Sequence, residues 1–174
     1  MKKYWLISAA LFAMDRITKL AVEKGLSGGQ ALVVWPDVLR FQYAQNTGIA
    51  FSMLEGKGWV VSAVTLVVLA AVLLFYVKDK SLTEVARAGI SLILLGGLGN
   101  LIDRVVYGYV IDFIEVMFVR FAVFNVADIM VCVGAALAVI GFFMTKKEAR
   151  ARAWWRARPR ASAGGSSRRG RKSS

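Results

Sequence analysis

The sequence predicts an all-α integral membrane protein: four transmembrane helices with a small extracytoplasmic β-containing segment. Composition is the first reason. At 174 residues and 57% hydrophobic, with a mean hydropathy of +0.57, the chain is too apolar for an ordinary soluble domain. Second, uncharged runs recur that approach the roughly 20 residues a helix needs to cross hydrocarbon. Third, the net charge of +12 is unevenly spread: eleven Lys or Arg lie from Lys146 onward against the single Glu148. Ten of the twelve charges therefore belong to a tail, and two to the first 145 residues.

The first span, about 4–22, opens with the uncharged run Tyr4 to Met14 and then meets Asp15, Arg16 and Lys19. A cleaved signal peptide beginning at Lys2 and Lys3 is the alternative, but a small-x-small cleavage site is hard to find after it. A retained helix is favoured, because Asp15 and Lys19 stand one turn apart on one face and can pair. An unpaired charge at the bilayer centre costs roughly 2.5–3.5 kcal/mol, so both are expected near the interface. Trp59 to Val77 carries no charge and ends at Lys78, a span at about 58–78. Ala88 to Ile102 and Ile129 to Thr145 are also uncharged; running each helix a turn past Asp103 or Asp128 gives spans at about 86–106 and 125–145. In the intervening segment of about 23–57, Ala31 to Trp35 and Leu39 to Tyr43 read as short strands between Gly and Pro breaks. The segment at about 107–124 is the second outer connection. Residues 1–145 thus form one membrane domain, and 146–174 a basic, disordered tail, low in complexity from Ala161.

Lys2 and Lys3, then Lys78, Lys80 and Arg87, then the tail, all fall on one side of this topology, which makes that side and both termini cytoplasmic. With Trp154 and Trp155 leading its Arg and Lys residues, the tail is expected on anionic lipid head groups, each basic residue contributing about 1 kcal/mol. Nucleic acid is the lesser reading and is not expected as a partner.

The chemistry available is narrow. With no His and only Cys132, internal disulfides, multi-Cys metal sites and Ser-His or Cys-His catalysis are excluded, leaving carboxylates, lysine and hydroxyls. Cys132 reads as packing. The topology brings Asp15, Asp103, Asp112 and Asp128 to the outer interface. Taken singly, each is a solvated helix end; four together suggest a site. Asn100, Asp103 and Arg104 share a helix face at i, i+3 and i+4. Asn125 and Asp128 repeat the i, i+3 spacing at a helix start, where a negative group is favoured. The bland alternative is that Asn125 caps that helix while Asp103 pairs with Arg104, and local pattern does not choose. Two neighbouring carboxylates can hydrolyse a peptide without metal or nucleophile, one ionised to take a proton from water and the other protonated to donate. Their mutual repulsion keeps one proton on the pair.

Four blocks carry a resemblance: DRITK from Asp15 to Lys19, NTGIAF from Asn46 to Phe51, GNLIDR from Gly99 to Arg104 continuing to VIDF at Phe113, and FNVAD from Phe124 to Asp128. In this order, over about residues 4–145, they resemble the lipoprotein signal peptidase (signal peptidase II) family of bacterial inner membranes. The resemblance implies an aspartic endopeptidase with Asp112 and Asp128 as its dyad and Asp103 in support. It implies Asn46, Gly48, Asn100, Arg104 and Asn125 shaping the pocket, and Asp15 and Lys19 stabilising the outer end of the first helix. It further implies a prolipoprotein substrate cut just before a diacylglyceryl-modified Cys, a monomer, and no cofactor or metal. The 25–58 segment is expected to act as a platform or lid. Choosing Asp112 over Asp103 rests on the resemblance alone. The chain departs from the pattern in the stretch Val116 to Val123, without Trp or Pro, and at Ile129, where a small hydroxyl residue is common. Rival readings are a proton-coupled transporter, which wants acids and broken helices at mid-membrane, and a non-catalytic scaffold.

Overall fold

The computed structural model describes the backbone of residues 2–48 and 58–157, and side chains within 3–48 and 58–144. Ile49, Ala50 and Phe51 of the NTGIAF block, the remainder of the 49–57 segment expected as part of a lid, and the tail from residue 158 lie outside the described residues. Among those residues are four long helices and one three-stranded sheet, in the order α1 (Lys2–Leu26), β1 (Ala31–Trp35), β2 (Leu39–Asn46), α2 (Gly58–Lys78), α3 (Glu84–Tyr107), β3 (Val110–Val116) and α4 (Val126–Ala157).

Three of these helices are long and apolar enough to cross a membrane: α2 (mean hydropathy 2.8), α3 (1.7) and Val126–Met144 of α4 (2.4). The charges in the second half of α1 keep it out of that set. The distribution of side chains is inverted relative to a soluble protein. The largest fully buried side chains include Lys19, Asn125, Asp15, Asp103, Asp112, Ser8 and Ser91, whereas Leu66, Val67, Val77, Val105 and Phe143 are exposed. Lipid tails solvate apolar surface and cannot satisfy polar groups, so polar side chains turn inward and find one another.

α3 is bounded by local chemistry. The Thr83 hydroxyl accepts from Ala86 N at 3.1 Å, with Glu84 in the first turn. Gly108, at φ 82°, ends the helix in the left-handed conformation and donates its N–H to Arg104 O. α3 lies hard against α4. A Cβ on Gly89 would sit 2.4 Å from Gly134 O, one on Gly134 2.6 Å from Gly89 O, and one on Gly96 2.7 Å from Ala127 O. Small residues at this seam let two backbones meet, the usual basis of helix association where the solvent gives no hydrophobic drive. Away from the aspartates, Trp5 of α1 packs edge-on to Tyr76 of α2 and donates to its hydroxyl at 3.0 Å. These rings join the cluster of Leu82, Ala86, Ile90, Leu94 and Ala138.

β1 and β2 form a hairpin around Pro36 and Asp37, the latter at φ 56°, and β3 pairs antiparallel with the other edge of β2. The strands expected at 31–35 and 39–43 are present, the second extending to Asn46. The third strand goes beyond the expectation of an all-α chain with one β-containing outer segment. Its signal was the β-branched content of VIDFIEV, obscured because burial on both faces removes the period-two alternation. Ala44 pairs with Asp112 after a bulge between Phe41 and Ala44, and bulges of this kind re-aim side chains. α4 also differs from expectation, continuing as helix to Ala157 where a disordered tail was expected from 146. The Lys146 to Ala157 stretch is rich in Ala, Arg and Lys, all strong helix formers.

Candidate active site

Five elements converge where α4 begins. Asn125 and Asp128 cap that helix reciprocally: Asn125 Oδ1 accepts from Asp128 N at 2.9 Å, and Asp128 Oδ2 accepts from Asn125 N at 3.1 Å. Asp15 Oδ1, from α1, takes the next free amide, Ala127 N, at 2.9 Å. The capping reading of Asn125 is therefore correct but incomplete. The same amide donates Nδ2 to Asp112 Oδ1 at 2.6 Å and to Asn100 Oδ1 at 3.1 Å.

The four aspartates divide into two kinds. Asp15 and Asp103 are paired with cations: Lys19 Nζ lies 3.0 Å from Asp15 and 2.8 Å from Asp103, all three side chains fully buried, and Arg16 also pairs with Asp103. Among the described residues, Asp112 and Asp128 receive only neutral N–H donors. Asp112 accepts from Asn46 Nδ2 (2.8 Å) and Asn125 Nδ2 (2.6 Å). Asp128 accepts from Asn100 Nδ2 (2.7 Å) and the Asn125 backbone. Each of these two carboxylates thus has an amide donor on each oxygen and, among the described residues, no cation bonded to it. Burial, first, and the neighbouring Asp128 charge, second, push the Asp112 carboxyl up to about 7.

The pairing of Asp103 with Arg104 does not occur as an ion pair: the salt-bridge partners of Asp103 are Arg16 and Lys19. Consecutive helix residues project about 100° apart, so these two side chains face different neighbours. Arg104 instead donates to Gly48 O at 2.7 Å and Asn100 O at 3.5 Å, and its buried Nε has no hydrogen-bond partner among the described residues. It remains within electrostatic reach of Asp112 and Asp128. Gly48 N in turn donates to Asn46 Oδ1 at 3.1 Å, closing a turn after β2. All ten residues singled out from the sequence, Asp15, Lys19, Asn46, Gly48, Asn100, Asp103, Arg104, Asp112, Asn125 and Asp128, thereby fall in one connected network. Arg16 was missed; its signal was its place inside DRITK, one residue from Asp15.

Asp128 keeps partial exposure while Asp112 is buried, so the network opens at the α4 side. A cavity of about 560 Å³, lined by Glu115 to Ala122, lies beyond the end of β3 and touches neither carboxylate.

A profile described as signal peptidase (SPase) II matches residues 7–144. The chain is 38% identical over 130 residues to the lipoprotein signal peptidase of Clostridium novyi, covering 73% of this chain and 88% of that one. It is 31% identical over 147 residues to that of Brevibacillus brevis (84% and 99%) and 38% identical over 144 residues to that of Nostoc punctiforme (80% and 89%). Its fold is similar to a bacterial membrane enzyme solved by the in meso method at 2.3 Å resolution, with TM-score 0.77 and 29% identity over 85% of this chain and 92% of that one.

Proposed function

The chain belongs to the signal peptidase II family, a family of membrane peptidases, and on that premise we propose that it is an aspartic endopeptidase whose Asp112 and Asp128 activate water to cleave prolipoproteins just before a diacylglyceryl-modified Cys. The observation that carries the reading is the contrast among the acids. Asp15 and Asp103 are neutralised by Arg16 and Lys19, whereas Asp112 and Asp128 share the Asn125 residue as donor and have no bonded cation among the described residues. Two carboxylates in such a place hold one proton between them. The ionised member takes a proton from water as the water oxygen bonds the scissile carbonyl carbon, and the protonated member donates to the carbonyl oxygen; as the C–N bond then breaks, the proton taken from water passes to the leaving nitrogen and a hydroxyl proton of the intermediate returns to the dyad. Asn46, Asn100 and Asn125 hold the pair in place, and Gly48 and Arg104 form the wall beside it.

Four membrane crossings, with α1 as the first, fit the pairing of its charges: Asp15 and Lys19 are buried among protein partners rather than turned to lipid. The loop charges support both termini in the cytoplasm and the dyad at the outer face of the inner membrane. There the acyl chains of the substrate stay in the bilayer while water reaches the bond. The enzyme is read as a monomer needing no cofactor. The test is cleavage of a diacylglyceryl-modified precursor by purified protein in lipid, with product masses locating the cut. A cut anywhere other than before the modified Cys would overturn the specificity.

The raised value of Asp112 sets the sign of the pH dependence. Below about 7 it keeps its proton and can act as the acid; above about 7 it ionises and the acid is lost. Turnover is expected to fall as pH rises through about 7, read from a kcat profile. The same shift favours the folded state at low pH, and that contribution disappears as pH climbs from the ordinary carboxylate range to about 7. The basic tail is read as resting on anionic head groups, apart from catalysis. Truncation after Thr145 is expected to leave processing largely intact, and a folded truncation without activity would contradict this.

A further inference from the structure

Lys19 sits behind the two amide-bonded aspartates without touching either, and its contacts have a directional consequence. An ammonium can only donate. Its Nζ lies 2.9 Å from Asn100 Oδ1, so the oxygen end of that amide must face α1. The nitrogen end is then aimed at Asp128 Oδ1, 2.7 Å away. Asn125 Nδ2 also donates to Asn100 Oδ1 and to Asp112 Oδ1, which leaves Asn125 Oδ1 to accept from Asp128 N. Lys19 therefore sets the polarity of Asn100, the side-chain donor to Asp128, while the Asp128 backbone N–H, also donor-only, sets that of Asn125.

We infer that Lys19 is a positioning residue for catalysis: it holds the Asn100 amide with its N–H directed at Asp128, so that the dyad can carry a single negative charge. This rests on the dyad reading above and deepens it. Without Lys19, the longer Asn125 Nδ2 contact alone holds Asn100 Oδ1 toward α1, and an Asn100 amide that turned would present its carbonyl oxygen to the Asp128 carboxylate. That contact is repulsive when the acid is ionised and favourable when it is protonated, so the pair would hold its second proton to higher pH. Among the described residues, the charged groups around the frame are Asp15 and Arg16 with Lys19 on α1, Asp103 and Arg104 on α3, Asp112 on β3 and Asp128 on α4. β2 contributes the neutral Asn46. Lys19 also acts on Asp112 directly through its charge, favouring the ionised form.

The experiment compares wild type with the double variant Lys19→Met/Asp103→Asn, which removes the donor together with one carboxylate and so leaves the net charge of the cluster unchanged. Full chains in lipid cleave a diacylglyceryl-modified precursor peptide across pH. Expected is a profile displaced to higher pH by about one unit, with kcat down roughly tenfold at the wild-type optimum and KM little changed. A double variant with the wild-type profile would overturn the inference, even with Asp112→Asn inactive and the dyad reading intact. Full processing by Asp112→Asn or Asp128→Asn would instead sink the dyad reading and the inference together. Should the double variant not fold, Asn100→Asp keeps the Lys19 contact but presents only acceptors to Asp128. The same alkaline displacement is expected from it, and an unmoved profile would overturn the inference.

Discussion

Asp112→Asn and Asp128→Asn are each expected to reduce precursor cleavage by about 10²–10⁴-fold or more, the range associated with a positioned proton-transfer group. Either change leaves one carboxyl unable to share a proton with a partner, so the water has a base without an acid, or an acid without a base. Binding should suffer less than turnover, because the substitution is isosteric and Asn46, Asn100 and Gly48 remain. The measurement is single-turnover cleavage of a lipidated precursor by purified variants, with thermal melting to confirm folding. The same pair of variants separates an enzyme from a scaffold, for which both changes would be harmless. By contrast Asp103→Asn, which touches a residue bound to Arg16 and Lys19, should act first on stability.

The largest expected loss of stability comes from Lys19→Met alone. Lys19 is fully buried and bridges Asp15 and Asp103, which are fully buried themselves. Its removal leaves Asp103 with Arg16 as its cation and takes from Asp15 the cation it pairs with. Breaking one side of a buried ion pair costs about 3–5 kcal/mol, because the remaining charge has lost its compensation. The cost is expected to appear as a lowered melting temperature in detergent, recovered in large part by adding Asp103→Asn. An unchanged melting temperature would show that the cluster is solvated rather than sealed. The loss should propagate to α4, since Asp15 also bonds the free amide of Ala127.

The helices were legible because their signals are local. An uncharged run followed by Lys78 ends a helix wherever it is found, and α2 occupies the expected 58–78. Asn125 and Asp128 announce a helix start by their spacing alone. β3 was not legible, since a strand buried on both faces loses alternation, and its identity depends on the partner that pairs with it. The partner of Asp103 was left open for a related reason: adjacency in sequence offered Arg104 as one alternative, while the helix turns the two side chains apart.

The sequence by itself determined that the chain is solvated by lipid, that its acids collect at one end of the helices, and that any chemistry falls to carboxylates, lysine or hydroxyls, because no His and one Cys are available. Only the tertiary structure decided which acids are neutralised. The cations of Asp103 come from α1, 84 to 87 residues earlier, whereas the donors to Asp112 are amides from β2 and the start of α4. A carboxylate takes its character from what surrounds it in space, and those neighbours are set by helix packing and strand register rather than by the residues beside it in the chain.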